Sequence, residues 1–558
     1  MNNFDYLIIG GGIAGLYTAY KIHQHHPHVT IGLLEATSRL GGRIHTIHKA
    51  NTQFESGGAR FNSDQHRVLN LIKELSLTQQ IVPITTDSNY IPVEPKYDPK
   101  LETQFPTIDD FIKHIQTYIK DKNISNQELL DTTILDFANT HFEKTYPTIK
   151  TYLESRYPYY SELGVLNAVE GINLFTNEFA SKTQYFILAT GLETLIDKLA
   201  IKLRNSSKVM IYKETPLDTL SYDKETKQYT ITTSEYQTTR DTLSKPTKYQ
   251  TRNIILALPQ IALKKINYLT KHENISRMLK AVQSQQLYRI YACYPLNKKT
   301  GKPWFVGLSK VVTNLPIKYI IPYDVKKGLI MISYTDGKYA DYWIKHLLNG
   351  TFMTTLSKQL KQLFPEIDIP KPKWIQHCHW AMGAAYWLPG YNREKIMPKL
   401  VKPFTDESLY ICGENYSSHQ AWMEGSLETS DLVLDRILKT FRKLSSRHEY
   451  KKTEKKTKKQ LKVNKVDKVR EIYEGGSVKR EYTLEEVAKH NKKTDAWIVI
   501  GDMVADITAW IPNHPGGDII MKGVGKDATT LFNSIGHDAI ARKMLKKYQI
   551  GIVKRLKK

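Results

Sequence analysis

The sequence predicts an α/β body followed by a small α+β module, and three stretches carry that prediction. The first 35 residues read as strand, glycine turn, helix, strand. Residues 451–470 then hold ten basic side chains against Glu454 and Asp467 and interrupt the apolar patterning. From Tyr482 onward the text changes again, to short aromatic and β-branched strands separated by glycine-containing loops.

The opening unit is the most specific. Phe4-Asp5-Tyr6-Leu7-Ile8-Ile9 is an apolar strand, and Gly10-Gly11-Gly12-Ile13-Ala14-Gly15 supplies a GxGxxG turn into a helix. A second apolar run, Val29 to Leu34, ends in Glu35, 20 residues after Gly15. Each part answers a need of dinucleotide binding. Gly10 permits the tight turn, Gly12 lets the backbone approach a pyrophosphate, and Gly15 lets helix and strand pack closely. The helix N-terminus offers unpaired N–H groups to phosphate, and Glu35 can accept from ribose hydroxyls.

Two segments choose the dinucleotide. Arg39-Leu40-Gly41-Gly42-Arg43 follows Glu35, and Glu55-Ser56-Gly57-Gly58-Ala59-Arg60 comes shortly after. With them the chain resembles the flavin-containing amine oxidase superfamily, where a Gly-Gly-Arg segment lines FAD. The resemblance implies a Rossmann-like FAD-binding domain with an interleaved substrate domain. It implies FAD contacts from Gly10, Gly12, Ile13, Ala14, Gly15, Glu35, Ala36, Arg39, Gly42, Arg43, Gly57, Gly58, Ala59 and Arg60. Leu409 to Glu414 is a strand running into Gly413-Glu414, and Trp422-Met423-Glu424-Gly425 opens a helix to about Leu444. In the resembled family these segments close the FAD site, which adds Gly413, Glu414, Met423 and Glu424. That helix would aim its N-terminus at the flavin.

The expected division is FAD-binding segments at 1–88, 186–264 and 401–444, with substrate-domain segments at 89–185 and 265–400. The substrate domain is expected to be helical from Thr107 to about Tyr160. It should then mix strands (Leu287–Tyr294, Gly328–Thr335) with one helix from Tyr342 to Phe364. A basic linker, 445–479, should follow. As a flexible coil it would span roughly 30–35 Å, with self-repulsion lengthening it. The linker also leaves contact with a polyanion open.

Residues 480–555 resemble cytochrome b5 over nearly the whole length of that domain, on Asn513-His514-Pro515-Gly516-Gly517-Asp518, Gly525-Lys526-Asp527-Ala528-Thr529 and Gly536-His537. The resemblance implies a small α+β domain holding haem b through axial His514 and His537, with Leu531, Phe532, Ile535 and Leu545 as pocket walls. Two departures stand out. Ala505 occupies a position that is aromatic in many members. Arg542 to Lys547 makes the region after His537 basic, where members serving cytochrome partners often carry an acidic face.

Composition bounds the rest. The 558 residues imply several domains, and 41% hydrophobic content suffices for buried cores. The net charge is +24, unusual for a small-molecule oxidoreductase. It is read mainly as biased composition of an AT-rich genome, such as that of a large DNA virus or a protist, and secondarily as a field for anionic partners. Three cysteines without a CxxC suit a reducing compartment. A first strand beginning by Phe4 and the lack of a long apolar run lead to the expectation of a soluble, intracellular, cytoplasmic protein without a transmembrane segment. The basic tract admits a nuclear address.

For function the resemblance implies oxidation of a small-molecule amine (monoamine, polyamine or amino acid). Tyr386, in Ala384-Ala385-Tyr386-Trp387, and Trp422 match the aromatic cage that flanks the amine. Ala385 stands where monoamine oxidases carry their flavin-linking cysteine, so FAD is expected to be non-covalent. Arg289 stands where many members place a lysine opposite the flavin. An arginine keeps its charge and cannot serve as a base. The electron acceptor is expected to be either dioxygen or the attached haem, and the arginine motivates the hypothesis that it is the haem. A polyamine would require tunnel carboxylates, and the sequence does not place Glu170, Glu178 or Asp336. Two other readings stay open: an FAD enzyme acting on a non-amine, and an electron-transfer protein serving a separate partner.

Overall fold

The computed structural model describes residues 2–85, 87–177, 183–233, 237–239, 242–243, 247–439, 481–511, 517–534, 545 and 548–554. The chain divides into two compact units, Met1–Lys451 and Lys452–Lys558. The basic tract and both expected haem ligands, His514 and His537, lie outside the described residues.

The first unit is built on a seven-stranded sheet. Strand β1 (Asn2–Ile9) lies between β2 (Ile31–Leu34) and the strand Lys248–Leu256, parallel to both. Val209–Tyr212 extends the sheet beyond β2. The hairpin Leu217–Asp223/Gln228–Thr233 pairs with the first half of Lys248–Leu256, and Leu409–Ile411 pairs with its second half. Buried parallel strands need apolar side chains on both faces, and β1 alternates accordingly. Tyr6 and Ile8 join a core with Leu16, Ala19 and Ile22 of helix α1 (Ile13–His25) and with Leu195 and Leu199. Leu7 and Ile9 join the opposite core with Tyr229, Leu263 and Leu269.

The substrate side is a six-stranded sheet ordered Trp374–Trp387, Val282–Cys293, Leu329–Asp336, Tyr319–Asp324, Lys310–Val312, Ser88–Tyr90. Helices between Ile108 and Gly164 pack around their own aromatic core, including Phe105, Phe111, Phe137 and Phe142. The single helix expected from Tyr342 to Phe364 is two helices, Gly337–Leu348 and Phe352–Leu363. Gly350 breaks it with φ +68°, a left-handed conformation that glycine adopts without a Cβ clash. All three cysteines are buried and unpaired.

In the second unit a five-stranded sheet runs Glu481–Tyr482, Gln549–Val553, Met503–Asp506, Asp495–Ile500, Asn491–Lys492. A capping box between Thr483 and Glu486 starts the helix Leu484–Ala488. Ala505 is fully buried beside Ile498 and Ile507, so the small side chain is accommodated within the core. Among the described residues, no helix is long and apolar enough to cross a membrane.

Candidate active site

The parallel strands end in register. Ile9 pairs with both Leu34 and Leu256, and Leu256 pairs with Ile411. Gly10, Glu35, Ala257 and the Cys412-Gly413 pair therefore leave the sheet along one edge. This is the edge where open α/β sheets bind ligands. Gly10 adopts φ +111°, and a Cβ there would stand 2.2 Å from the Ala257 carbonyl oxygen. A Cβ on Gly15 would meet the Gly10 carbonyl oxygen at 2.0 Å. On Gly12, by contrast, it would find nothing within 4 Å. So two glycines are demanded by the protein itself, and the third faces open space. Gly12 caps α1 without any side-chain hydrogen bond, which leaves the first-turn N–H groups for an anion.

Glu35 is positioned rather than free. Its Oε2 accepts from Gly11 N at 2.8 Å, and its Oε1 accepts from Thr37 N and Oγ1 at 2.9 and 2.7 Å. Ala36 beside it is exposed. The Arg39 guanidinium donates to the carbonyls of Leu40, Gly42 and Ile44, so it shapes the Gly41-Gly42 turn. That turn docks on the first one, with Gly41 N donating to Gly11 O at 2.8 Å. Arg43 pairs with Glu414 and donates to Gly383 O, tying the two ends of the domain together. Gly413 takes φ +128°, and its N–H donates to Thr429 Oγ1. Ile13, Ala14 and Met423 are buried in the core beneath these turns. Glu424 opens the helix 423–439, but both of its oxygens are engaged at the start of the helix His66–Glu74, by Arg67 and by Val68 N.

Gly57 and Gly58 lie against Arg43. Gly58 N donates to Arg43 O at 2.8 Å, and a Cβ on Gly57 would sit 1.9 Å from that oxygen. Arg289 holds this loop from the other side. It is only 7% exposed, donates to the carbonyls of Glu55 and Gly57, and stacks 4.3 Å from the Tyr334 ring. The structure thus gives Arg289 the position of a clamp on the glycine loop.

Tyr386 is 3% exposed and Trp422 is 9% exposed. Burial, with Glu162 and Asp336 nearby, holds the Tyr386 hydroxyl well above the ordinary tyrosine value, so it stays protonated. Trp422 stacks on the Tyr185 ring at 6.3 Å and 28°, with the Arg60 guanidinium 5.8 Å from the Trp422 ring and 4.7 Å from the Tyr185 ring. Tyr159, Tyr319 and Tyr334 cluster beyond, with Lys310 over Tyr319. Sequence reading missed these residues. Tyrosine is too common here, 34 of 558 residues, for any single one to stand out. Of the tunnel candidates, Glu170 pairs with Arg393 and Asp336 accepts from the N–H groups of Tyr160 and Ser161. Glu178 lies outside the described residues.

Glu55, behind the clamp, gives a pH-dependent prediction. Burial raises its carboxyl to about 7, against the opposing hydrogen bonds from Leu192 N and Thr46. The folded value exceeds the unfolded one near 4.5, so the folded state binds the extra proton. The associated stability is complete below the unfolded value and is lost as pH rises through about 7. The loss is about 3 kcal/mol. Glu55→Gln keeps an acceptor for Leu192 N and should remove this decline. Urea denaturation of both proteins between about pH 5 and pH 8 checks it.

Residues 13–438 match the family model described as flavin containing amine oxidoreductase, three quarters of the chain. The chain belongs to that family. Residues 483–554 match the cytochrome b5-like haem/steroid binding domain. The protein is therefore an FAD-dependent oxidoreductase fused to a cytochrome b5-like haem domain. An uncharacterized protein of Acanthamoeba polyphaga mimivirus, R188, is 24% identical over 487 residues, covering 77% of this chain and 93% of that protein. Two further relatives are similar over a short stretch of this chain. An acyl-lipid (8-3)-desaturase of Physcomitrium patens is 53% identical over 72 residues and cytochrome b5 of Oryza sativa subsp. japonica 47% over 74, each covering 13% of this chain. The chain spans 15% and 54% of those two proteins. A solved structure from Exiguobacterium sp. 255-15, provisionally named a protoporphyrinogen oxidase, superposes with a TM-score of 0.52 at 16% identity. It covers 78% of this chain and 98% of its own, and shows the shared fold.

The residues present fit both cofactors of this flavoprotein. The space over Gly12 and the uncapped α1 N-terminus suit a pyrophosphate, and Glu35 at the end of β2 suits a ribose. In the haem domain, Phe532 and Leu545 pack partly buried against the apolar core, the kind of surrounding a haem requires.

Proposed function

We propose that the flavin domain of this oxidoreductase oxidises a small-molecule amine at the carbon bearing nitrogen, and that the haem domain receives the electrons in preference to dioxygen. Bound FAD supplies a two-electron acceptor for such a C–H bond. The substrate carbon gives up a hydride and the nitrogen a proton, and water hydrolyses the resulting imine to a carbonyl and ammonia. Tyr386 and Trp422 are assigned to flank the reacting carbon, and their burial excludes water from it.

The burial of Trp422, with the Arg60 guanidinium over its ring, carries the amine reading. The expected outcome for Trp422→Ala is a fall in the anaerobic rate of flavin bleaching by an amine of about a hundredfold, with FAD content retained. Equal rates would remove Trp422 from the reaction.

Arg289 supports the haem as acceptor. Its neighbours hold it above the ordinary arginine value despite burial, so it offers no base near the flavin loop. The tether supports it too. Covalent attachment makes the encounter of flavin and haem intramolecular. Electrons leave singly through a one-electron centre, so an external oxidant must clear that centre between transfers.

A further inference from the structure

Gln65 carries a buried carboxamide that the chain itself does not use. The residue is 2% exposed, and neither its Oε1 nor its Nε2 has a hydrogen-bond partner among the described residues. Its backbone is satisfied: the N–H donates to Asn62 O at 3.2 Å and the carbonyl accepts from Leu69 N at 3.0 Å. Gln65 precedes the helix His66–Glu74, yet its side chain does not cap that helix. An amide buried with both polar atoms empty is destabilising, and folded proteins seldom keep one without a use for it.

The neighbouring residues fix where this carboxamide lies. Three residues before it, Asn62 pairs with Tyr185, whose ring stacks on Trp422. Two and three residues after it, the N–H groups of Arg67 and Val68 hold the Glu424 carboxylate. Gln65 therefore sits in the stretch between a contact to Trp422 and a contact to Glu424. Val68 and Leu71 of its helix share one core with Met423 and with Ile13 and Ala14 at the start of α1.

We infer that the Gln65 carboxamide hydrogen-bonds bound FAD at the edge of the isoalloxazine ring where carbonyls flank an N–H. A carboxamide lacking both a donor and an acceptor fits a group that offers both. A phosphate offers only acceptors and would leave the Gln65 oxygen empty. The adenine end belongs with the ribose that Glu35 suits. The choice of the ring end rests on the placement of Trp422 beside the reacting carbon in the amine-oxidation reading.

The test uses the full-length chain, stripped of flavin and reconstituted with FAD labelled with carbon-13 at both ring carbonyls. Isotope-edited infrared difference spectra isolate those carbonyls from haem and protein. Gln65→Leu should move one carbonyl band to higher frequency, because that oxygen loses its donor, and should raise the FAD Kd at least tenfold. The flavin-free Gln65→Leu chain should unfold at or above the wild-type urea midpoint, because it no longer buries an unpaired amide. A residue that merely holds the fold would lower that midpoint instead. Gln65→Met, unbranched and nearly as long, carries the same readouts if the leucine variant does not accumulate. Unchanged carbonyl bands overturn the inference by putting the carboxamide on another group, and an unchanged Kd overturns it by giving the carboxamide an ordered water. Failure of both variants to fold overturns it too, because an unpaired amide has no structural duty to lose. The carbonyl bands need no substrate, so an amine that never bleaches the flavin defeats the amine reading and leaves this result standing.

Discussion

Gly15→Val leaves the flavin domain unable to retain FAD, while the haem domain in the same chain keeps its cofactor. The cause is local and severe. A Cβ at position 15 stands 2.0 Å from the Gly10 carbonyl oxygen, 3.2 Å from its carbon and 3.3 Å from Ile8 Cγ2. The first two are backbone atoms of the turn that the cofactor must meet. They cannot swing aside as a side-chain tip can. Ordinary overpacking costs about 1–3 kcal/mol. Here the start of α1 must also lift off β1, which removes the N–H groups from the phosphate position. The flavin-to-Soret absorbance ratio of purified protein reads the effect internally. It should fall to about a tenth or less of wild type, a change of at least ~1.4 kcal/mol in binding. The haem domain forms a unit of its own, so the Soret band should persist. An unchanged ratio would show that α1 and β1 do not pack as described.

Arg289→Met destabilises the flavin domain by about 2–4 kcal/mol. Hydrogen bonds from a charged donor contribute about 1.5–3 kcal/mol each, and methionine recovers part of this as apolar packing. The carbonyls of Glu55 and Gly57 would lose their buried donor, although Tyr291 still donates to Glu55 O at 2.7 Å. Arg289→Lys should restore part of the stability, because an ammonium lacks the fork that reaches two carbonyls. Thermal and urea unfolding of the two variants measure this. A structural clamp lowers stability and loosens the Gly57-Gly58 loop together. A catalytic group would lower turnover at unchanged stability, and that result would return Arg289 to the reaction.

The sequence showed clearly those parts of this protein where backbone geometry restricts residue choice. The GxGxxG turn, the Gly57-Gly58 loop and Gly413 stand out because side chains there collide with backbone or require left-handed φ. The FAD-dependent fold and the haem module followed from such positions together with family resemblance. The break at Asn349-Gly350 was not seen, because the helices on both sides keep apolar periodicity and only the glycine marks the turn. The partners of Arg289 were not legible either. Strand alternation says which face it takes but not which distant carbonyls lie there. The parallel pairing of Lys310–Val312 with Ser88–Tyr90 was not legible either, because it joins distant segments that local patterning cannot connect.

On the proposed function, electrons pass from the reduced flavin to the haem of the same chain. The measurement is anaerobic stopped-flow mixing of full-length protein with the best bleaching substrate, following the flavin band and the reduced-haem α band at several protein concentrations. Haem reduction should follow flavin bleaching with a first-order rate independent of protein concentration, and should be absent in His537→Ala, which removes an expected axial ligand. A haem that stays oxidised while the flavin bleaches, with dioxygen alone restoring the flavin, would contradict it.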